Sequence, residues 1–144
     1  MSLLLSIAVL LTLSGGRQVD GPAAADGIFN AYFRIAATLA ADQVAGVKTE
    51  AAQIAKAAGG IGNLAKIAAA ARELEATQDL AHARVAFSDL SDALIAFARA
   101  THRDLAGSGI AYCTMAGKYW IQQGSIIKNP YYGARMVACV ELVK

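Results

Sequence analysis

Hydrophobic residues recur at helical spacing through the first two thirds of the chain, and then the period changes. Ile28, Tyr32, Ile35 and Leu39 follow one another at four-three-four spacing and share one helix face, with Asp26 placed to cap the start. Val44, Val47, Ala51, Ile54 and Ala58 mark a second amphipathic helix, with Asp42 as its cap and Gly59-Gly60 at its end. Asn63 introduces a third, with Leu64, Ile67, Ala71 and Leu74 inward, and the pattern is compatible with a break near Ala76-Thr77-Gln78. The clearest run is Leu80, Ala83, Phe87, Leu90, Leu94 and Phe97, bounded by Gly107 and Gly109. Four such helices with short joints predict a mainly α protein, an antiparallel four-helix bundle. Inward alanines let helices approach closely, but they lower the buried area per residue.

Beyond Gly109 two short segments, Ile110 to Met115 and Met136 to Leu142, are rich in β-branched, aromatic and other strand-favouring residues. They predict a small C-terminal β-hairpin. Antiparallel pairing lays Cys113 and Cys139 opposite each other. The intervening Gly117 to Arg135 reads as a loop, with a turn at Asn129-Pro130 and a positive φ at Gly133.

The N-terminus carries a different pattern. Leu3 to Leu13 is apolar apart from Ser6 and Thr12 and is followed by Ser14-Gly15-Gly16. That run suits the apolar region of a signal peptide and is too short to span a bilayer, which takes about 20 residues. Cleavage is expected at Ser14–Gly16 or at Ala23-Ala24-Ala25, although no basic residue precedes the run; an uncleaved terminal helix is the alternative. Residues 1–25 thus read as signal peptide and linker, and 26–144 as one helical domain in a periplasmic or secreted protein without a membrane span in the mature chain. No cysteine stands directly after Leu13-Ser14-Gly15, so a lipoprotein is not expected.

Composition narrows the function. A chain of 144 residues suits one domain, and 56% hydrophobic content suffices for a core. A net charge of +2 with scattered basic residues gives no footprint for nucleic acid. No phosphate loop, nucleophile elbow or metalloprotease helix is present, so the chain is not expected to be an enzyme. His82 and His102 lie about 30 Å apart along the fourth helix and cannot share an ion within it. Asp89 and Asp92 are one turn apart on what reads as a solvated face.

The chemistry-bearing residues concentrate in the last third. Both cysteines, the single tryptophan and both internal methionines lie there. Cys113 and Met115, two apart on a strand, share a face, whereas Met136 and Cys139, three apart, do not. Thiolate and thioether select soft ions such as Cu(I), and Trp120 can lie over such a cation. The candidate metal ligands are therefore Cys113, Met115, Met136 and Cys139, with Trp120 beside them. The opposing reading is equally concrete. In an oxidising compartment Cys113 and Cys139 pair as a disulfide worth about 3 kcal/mol, and the other residues form a small core beneath the loop.

The ordered string Tyr112-Cys113-Thr114-Met115-Ala116, Trp120-Ile121-Gln122, Asn129-Pro130-Tyr131-Tyr132-Gly133, Met136 and Cys139 resembles the C-terminal signature of a bacterial domain-of-unknown-function family. Asp79-Leu80, Arg84, Phe87 and Leu90 to Ile95 resemble that family's long helix. Thr114 and Val140 depart from it, standing where the family has proline and glycine. Such domains occur as small exported proteins and appended to adaptor subunits of CusB-type copper/silver efflux pumps. The resemblance implies an exported, non-enzymatic domain that binds Cu(I) or Ag(I) or assists their efflux. The alternative is a disulfide-stapled interaction module whose loop Asn129, Pro130, Tyr131 and Tyr132 docks onto an efflux adaptor or another envelope protein. Arg84 and Ser91 are expected to anchor the C-terminal loop or a neighbouring helix.

Overall fold

A computed structural model describes residues 21–135 and 139–143. The leader and its cleavage positions up to residue 20 lie outside the described residues, as does the candidate ligand Met136. Four helices come first: α1 (Gly21–Ala40), α2 (Val47–Ala58), α3 (Ala65–Ala76) and α4 (Leu80–Ala100). They are followed by β1 (Ser108–Cys113), β2 (Lys118–Gln123) and β3 (Val140–Val143). None of the described helices is long and apolar enough to cross a membrane.

Each helix buries the face that its apolar spacing marks. Tyr32, Ile35, Leu39, Ile54, Leu74 and Phe87 are completely buried, and α1, α2, α3 and α4 pack in turn against the next in sequence. Val44 is the exception, standing exposed in the turn before α2. Asp79 caps α4, its carboxylate accepting from the His82 amide at 2.9 Å. The other expected caps are placed differently. Asp26 lies inside α1 and pairs with Arg103. Asn63 lies in a 3-10 turn, and Gly46, at φ 86°, precedes α2. Helix α1 begins at Gly21, so the last residues of the expected linker form its first turns, with Ala24 and Ala25 buried.

The predicted hairpin is a three-stranded antiparallel sheet in the order β2-β1-β3. The extra strand, β2, lies in the segment expected to be loop. Gly117 (φ 64°) turns the chain straight back after β1, its amide donating to Cys113 O at 2.8 Å, so β2 pairs with β1 from Cys113↔Lys118 to Ser108↔Gln123. β3 pairs on the other side of β1, from Cys113↔Val140 to Ile110↔Val143. The sheet packs on α4 through β2. Tyr32 joins the two parts of the molecule: its hydroxyl lies 2.9 Å from Ser91 Oγ and accepts the Ile121 amide at 3.0 Å. A peptide group on the outer strand that would otherwise be unpaired is thereby satisfied from α1.

Candidate functional site

Cys113 ends β1 and is fully buried, whereas Cys139, just before β3, is half-buried. Their Sγ atoms are 3.5 Å apart. A disulfide measures about 2.05 Å, so the pair stands here as two thiols. Cys139 is fixed from the β1 side, because its carbonyl accepts from the Thr114 amide at 3.0 Å and from the Thr114 hydroxyl at 3.2 Å.

The turn after β1 aims donors back at Cys113. The amides of Met115 and Ala116 point at its sulfur, and Asn129 Nδ2 donates to it from 3.3 Å. Burial pushes the Cys113 thiol up. The Asn129 amide, the Ala116 amide, the Cys139 thiol and the Met115 amide act the other way and outweigh it, leaving Cys113 more acidic than an ordinary thiol. Cys139 moves upward, first through desolvation, then because it donates to Cys113 and faces the charge there.

Asn129 is held by its own loop. Its Oδ1 accepts from the amides of Tyr131 at 2.9 Å and Tyr132 at 3.3 Å, and its carbonyl accepts from Gly133. This Asx turn leaves Nδ2 pointing at the sulfur. Tyr131 donates from its hydroxyl to Tyr119 O and packs edge-on to Trp120, with ring centroids 5.9 Å apart.

The helices clamp the same loop. Arg84 on α4 donates from Nε to Pro130 O at 2.8 Å, and from Nη2 to Leu39 O at 2.9 Å and Asp42 Oδ1 at 2.7 Å. Hydrogen bonding from Arg84 holds the Asp42 carboxyl below the usual carboxylate range against a smaller desolvation effect, and the Arg135 charge and Ala134 amide add to it. Asp42 itself adopts φ 58° at the end of α1. Its carboxylate fills the space where a side chain on Gly133 (φ 66°) would begin, which is why that position takes glycine.

The structure thus brings Cys113 and Cys139 together, while the candidate ligand Met136 lies outside the described residues. Met115 lies in the turn rather than on β1, and the residue is 59% exposed. Trp120 is buried, its indole N–H donating to Gln122 Oε1 at 3.1 Å. The expected docking loop is not presented to solvent: Asn129, Pro130 and Tyr131 are buried and Tyr132 half-buried, because Arg84 and the Asx turn draw the loop inward. His82 bonds Asp79 on the surface, and His102 is exposed. Among the described residues no group of three or more His, Cys, Asp or Glu is arranged around a common point. A groove of about 370 Å³ beside β2, lined by Phe33, Ala37, Gln123, Ile126 and Lys128 among others, includes neither cysteine. Sequence reasoning placed Asn129 in a partner surface and missed it as the side chain that hydrogen-bonds the buried sulfur. The signal available was the Asn-Pro turn lying between the two cysteines.

A family model described as a protein of unknown function (DUF3347) matches residues 28–104, more than half of the chain. The matched region runs from α1 past the end of α4 and stops before both cysteines. No curated protein and no solved structure matches the chain.

Proposed function

The chain belongs to the DUF3347 family of proteins of unknown function, and on that footing we propose that it is an exported, non-enzymatic module that takes a soft cation, Cu(I) or Ag(I), through Cys113 and Cys139. The observation that carries this reading is the set of donors converging on Cys113 Sγ, which favours a thiolate rather than a sulfur committed to a static bridge. Thiolates select soft ions over harder ones. Asn129 and the Met115 and Ala116 amides orient the buried ligand, and the exposed Met115 thioether is available as a supplement.

The resemblance of the Cys/Met/Trp string to the domain carried by CusB-type adaptors supports an accessory role in copper or silver efflux outside the cytoplasmic membrane. The rival, a stapled module docking through Asn129 to Tyr132, loses the surface it needs, since three of those four residues are buried. Native mass spectrometry of the reduced chain with one equivalent of Cu(I) tests the proposal. One bound ion in the wild type and none in Cys113→Ser supports it. Equal uptake by both proteins contradicts it.

A further inference from the structure

Cys113 and Cys139 differ in a way that holding a cation does not require. Cys113 is 0% exposed, whereas Cys139 is half-buried. With the sulfurs 3.5 Å apart, a bond made at Cys139 lies within reach of Cys113. The donors at the buried sulfur, Asn129 Nδ2 at 3.3 Å among them, are already in place to receive charge released there.

We propose that the two cysteines form a reversible dithiol–disulfide couple in which Cys139 is the sulfur that exchanges with small disulfides and thiols from solvent, and Cys113 is the internal sulfur that resolves the mixed disulfide. In the oxidising direction Cys139 gives up its proton to water and attacks one sulfur of a low-molecular-weight disulfide. That disulfide breaks, one thiolate leaves, and Cys139 carries the other half. Cys113 then attacks the Cys139 sulfur and expels the second thiolate. The two cysteines have lost two electrons and two protons, and the small disulfide has become two thiols. In the reducing direction an external thiolate attacks Cys139, the Cys113–Cys139 bond breaks, and the electron pair passes to Cys113, where the donors stabilise it. A leaving sulfur stabilised in this way makes a disulfide easy to reduce, so the bridge is a labile one and not a permanent staple.

The exchange does not depend on metal. Where the pair holds a soft cation, oxidation consumes both thiolates at once and releases it, and that consequence alone rests on the proposed metal reading.

The test uses the metal-free full chain in the presence of a chelator. Limiting iodoacetamide on the reduced native wild type, mapped by peptide mass, should label Cys139 at least ten times faster than Cys113. Oxidised glutathione should convert the wild type to the internal disulfide, and added reduced glutathione should reverse the conversion. In Cys113→Ser, shown to be folded by circular dichroism, the glutathione adduct should accumulate on Cys139. Labelling of Cys113 as fast as Cys139 overturns the proposal, as does a wild type that forms no internal disulfide at any glutathione ratio. Both of those results come from the wild type, so the proposal is decided even if the variant fails to fold. Cu(I) uptake is measured separately under reducing conditions, so a failure of exchange and a failure of metal binding are told apart.

Discussion

Replacing Arg84 with methionine tests whether the helices hold the sulfur-bearing unit in place. Methionine keeps an unbranched apolar stem but removes donors to Pro130 O, Leu39 O and Asp42 Oδ1. The Arg84 side chain is 15% exposed, so water reaches the two carbonyls poorly. Leu39 O keeps the Asp42 amide, which donates to it at 3.1 Å, so Pro130 O is the carbonyl that loses its donor. A buried acceptor left without its partner costs about 1–3 kcal/mol, and partial access places this one near the lower end, roughly 1–1.5 kcal/mol. The Asp42 carboxylate is 38% exposed, so its screened ion pair adds little. For a domain of this size 1 kcal/mol moves Tm by about 4 °C, which gives an expected fall of about 4–6 °C. Arg84→Lys keeps the charge but lacks the fork, and it should recover less than half of the loss. Thermal circular dichroism of both variants, with Arg99→Met as an exposed control on the same helix, measures this. Hydrogen exchange at the Tyr131, Tyr132 and Gly133 amides should accelerate in Arg84→Met. A Tm within about 2 °C of the wild type with unchanged exchange refutes the clamp.

Tyr32→Phe leaves the buried Ile121 amide without its acceptor and should cost about 1–3 kcal/mol in urea unfolding, with an equal midpoint contradicting the joint between α1 and β2. Asn129→Asp keeps the oxygen that accepts from Tyr131 and Tyr132 but removes the donor to Cys113; the glutathione equilibrium should move toward the disulfide by about tenfold, or about 30 mV, and an unchanged potential would show the donor to be idle. Hydrogen bonds from Arg34 hold Glu50 below its ordinary value and those from Arg84 do the same for Asp42. That stabilisation is complete above the ordinary carboxylate range, about pH 4–4.5, and is lost as pH falls through the depressed values, so Tm should drop on acidification and drop less steeply in Glu50→Gln. Parallel acid limbs would contradict this. At the other extreme, burial raises the Tyr32 and Tyr131 hydroxyls; their stabilisation is complete below about pH 10 and lost as pH rises further, so base unfolding should begin only above that point.

The helices were legible because helical amphipathicity is local. The spacing of Ile28, Tyr32, Ile35 and Leu39, and of Leu80 through Leu94, names the faces that are buried, and Asp79 caps where a carboxylate can meet free amides. β2 was hidden because its burial does not alternate: Trp120, Ile121 and Gln122 are all buried. One face of the strand meets the helices, and Tyr32 covers the Ile121 amide at its edge. The flanking Gly117 and Gly124 and the run Lys118-Tyr119-Trp120-Ile121-Gln122 were the available signals. Asp42 was misread for a reason of context, since aspartate suits a helix start, and only tertiary contact shows it answering Arg84 and Gly133. Arg84 and Ser91 do anchor what they were expected to anchor, the C-terminal loop and Tyr32. Sequence reasoning set the two cysteines opposite each other on paired strands. They are neighbours, but Cys113 pairs with Val140, and Cys139 stands just before β3, where its carbonyl accepts the Thr114 amide. Sequence could not show which sulfur is buried or which amides face it, because the turn between β1 and β2 sets both.

The central claim is that Cys113 and Cys139 jointly hold a soft monovalent cation. Equilibrium competition against a Cu(I) chelator under reducing conditions tests it most directly, run on the wild type, Cys113→Ser, Cys139→Ser and Met115→Leu. The account predicts loss of competition in both cysteine variants. Met115→Leu should compete almost as well as the wild type, because that thioether is exposed and only supplementary. Superimposable curves for the wild type and the two cysteine variants would contradict the claim.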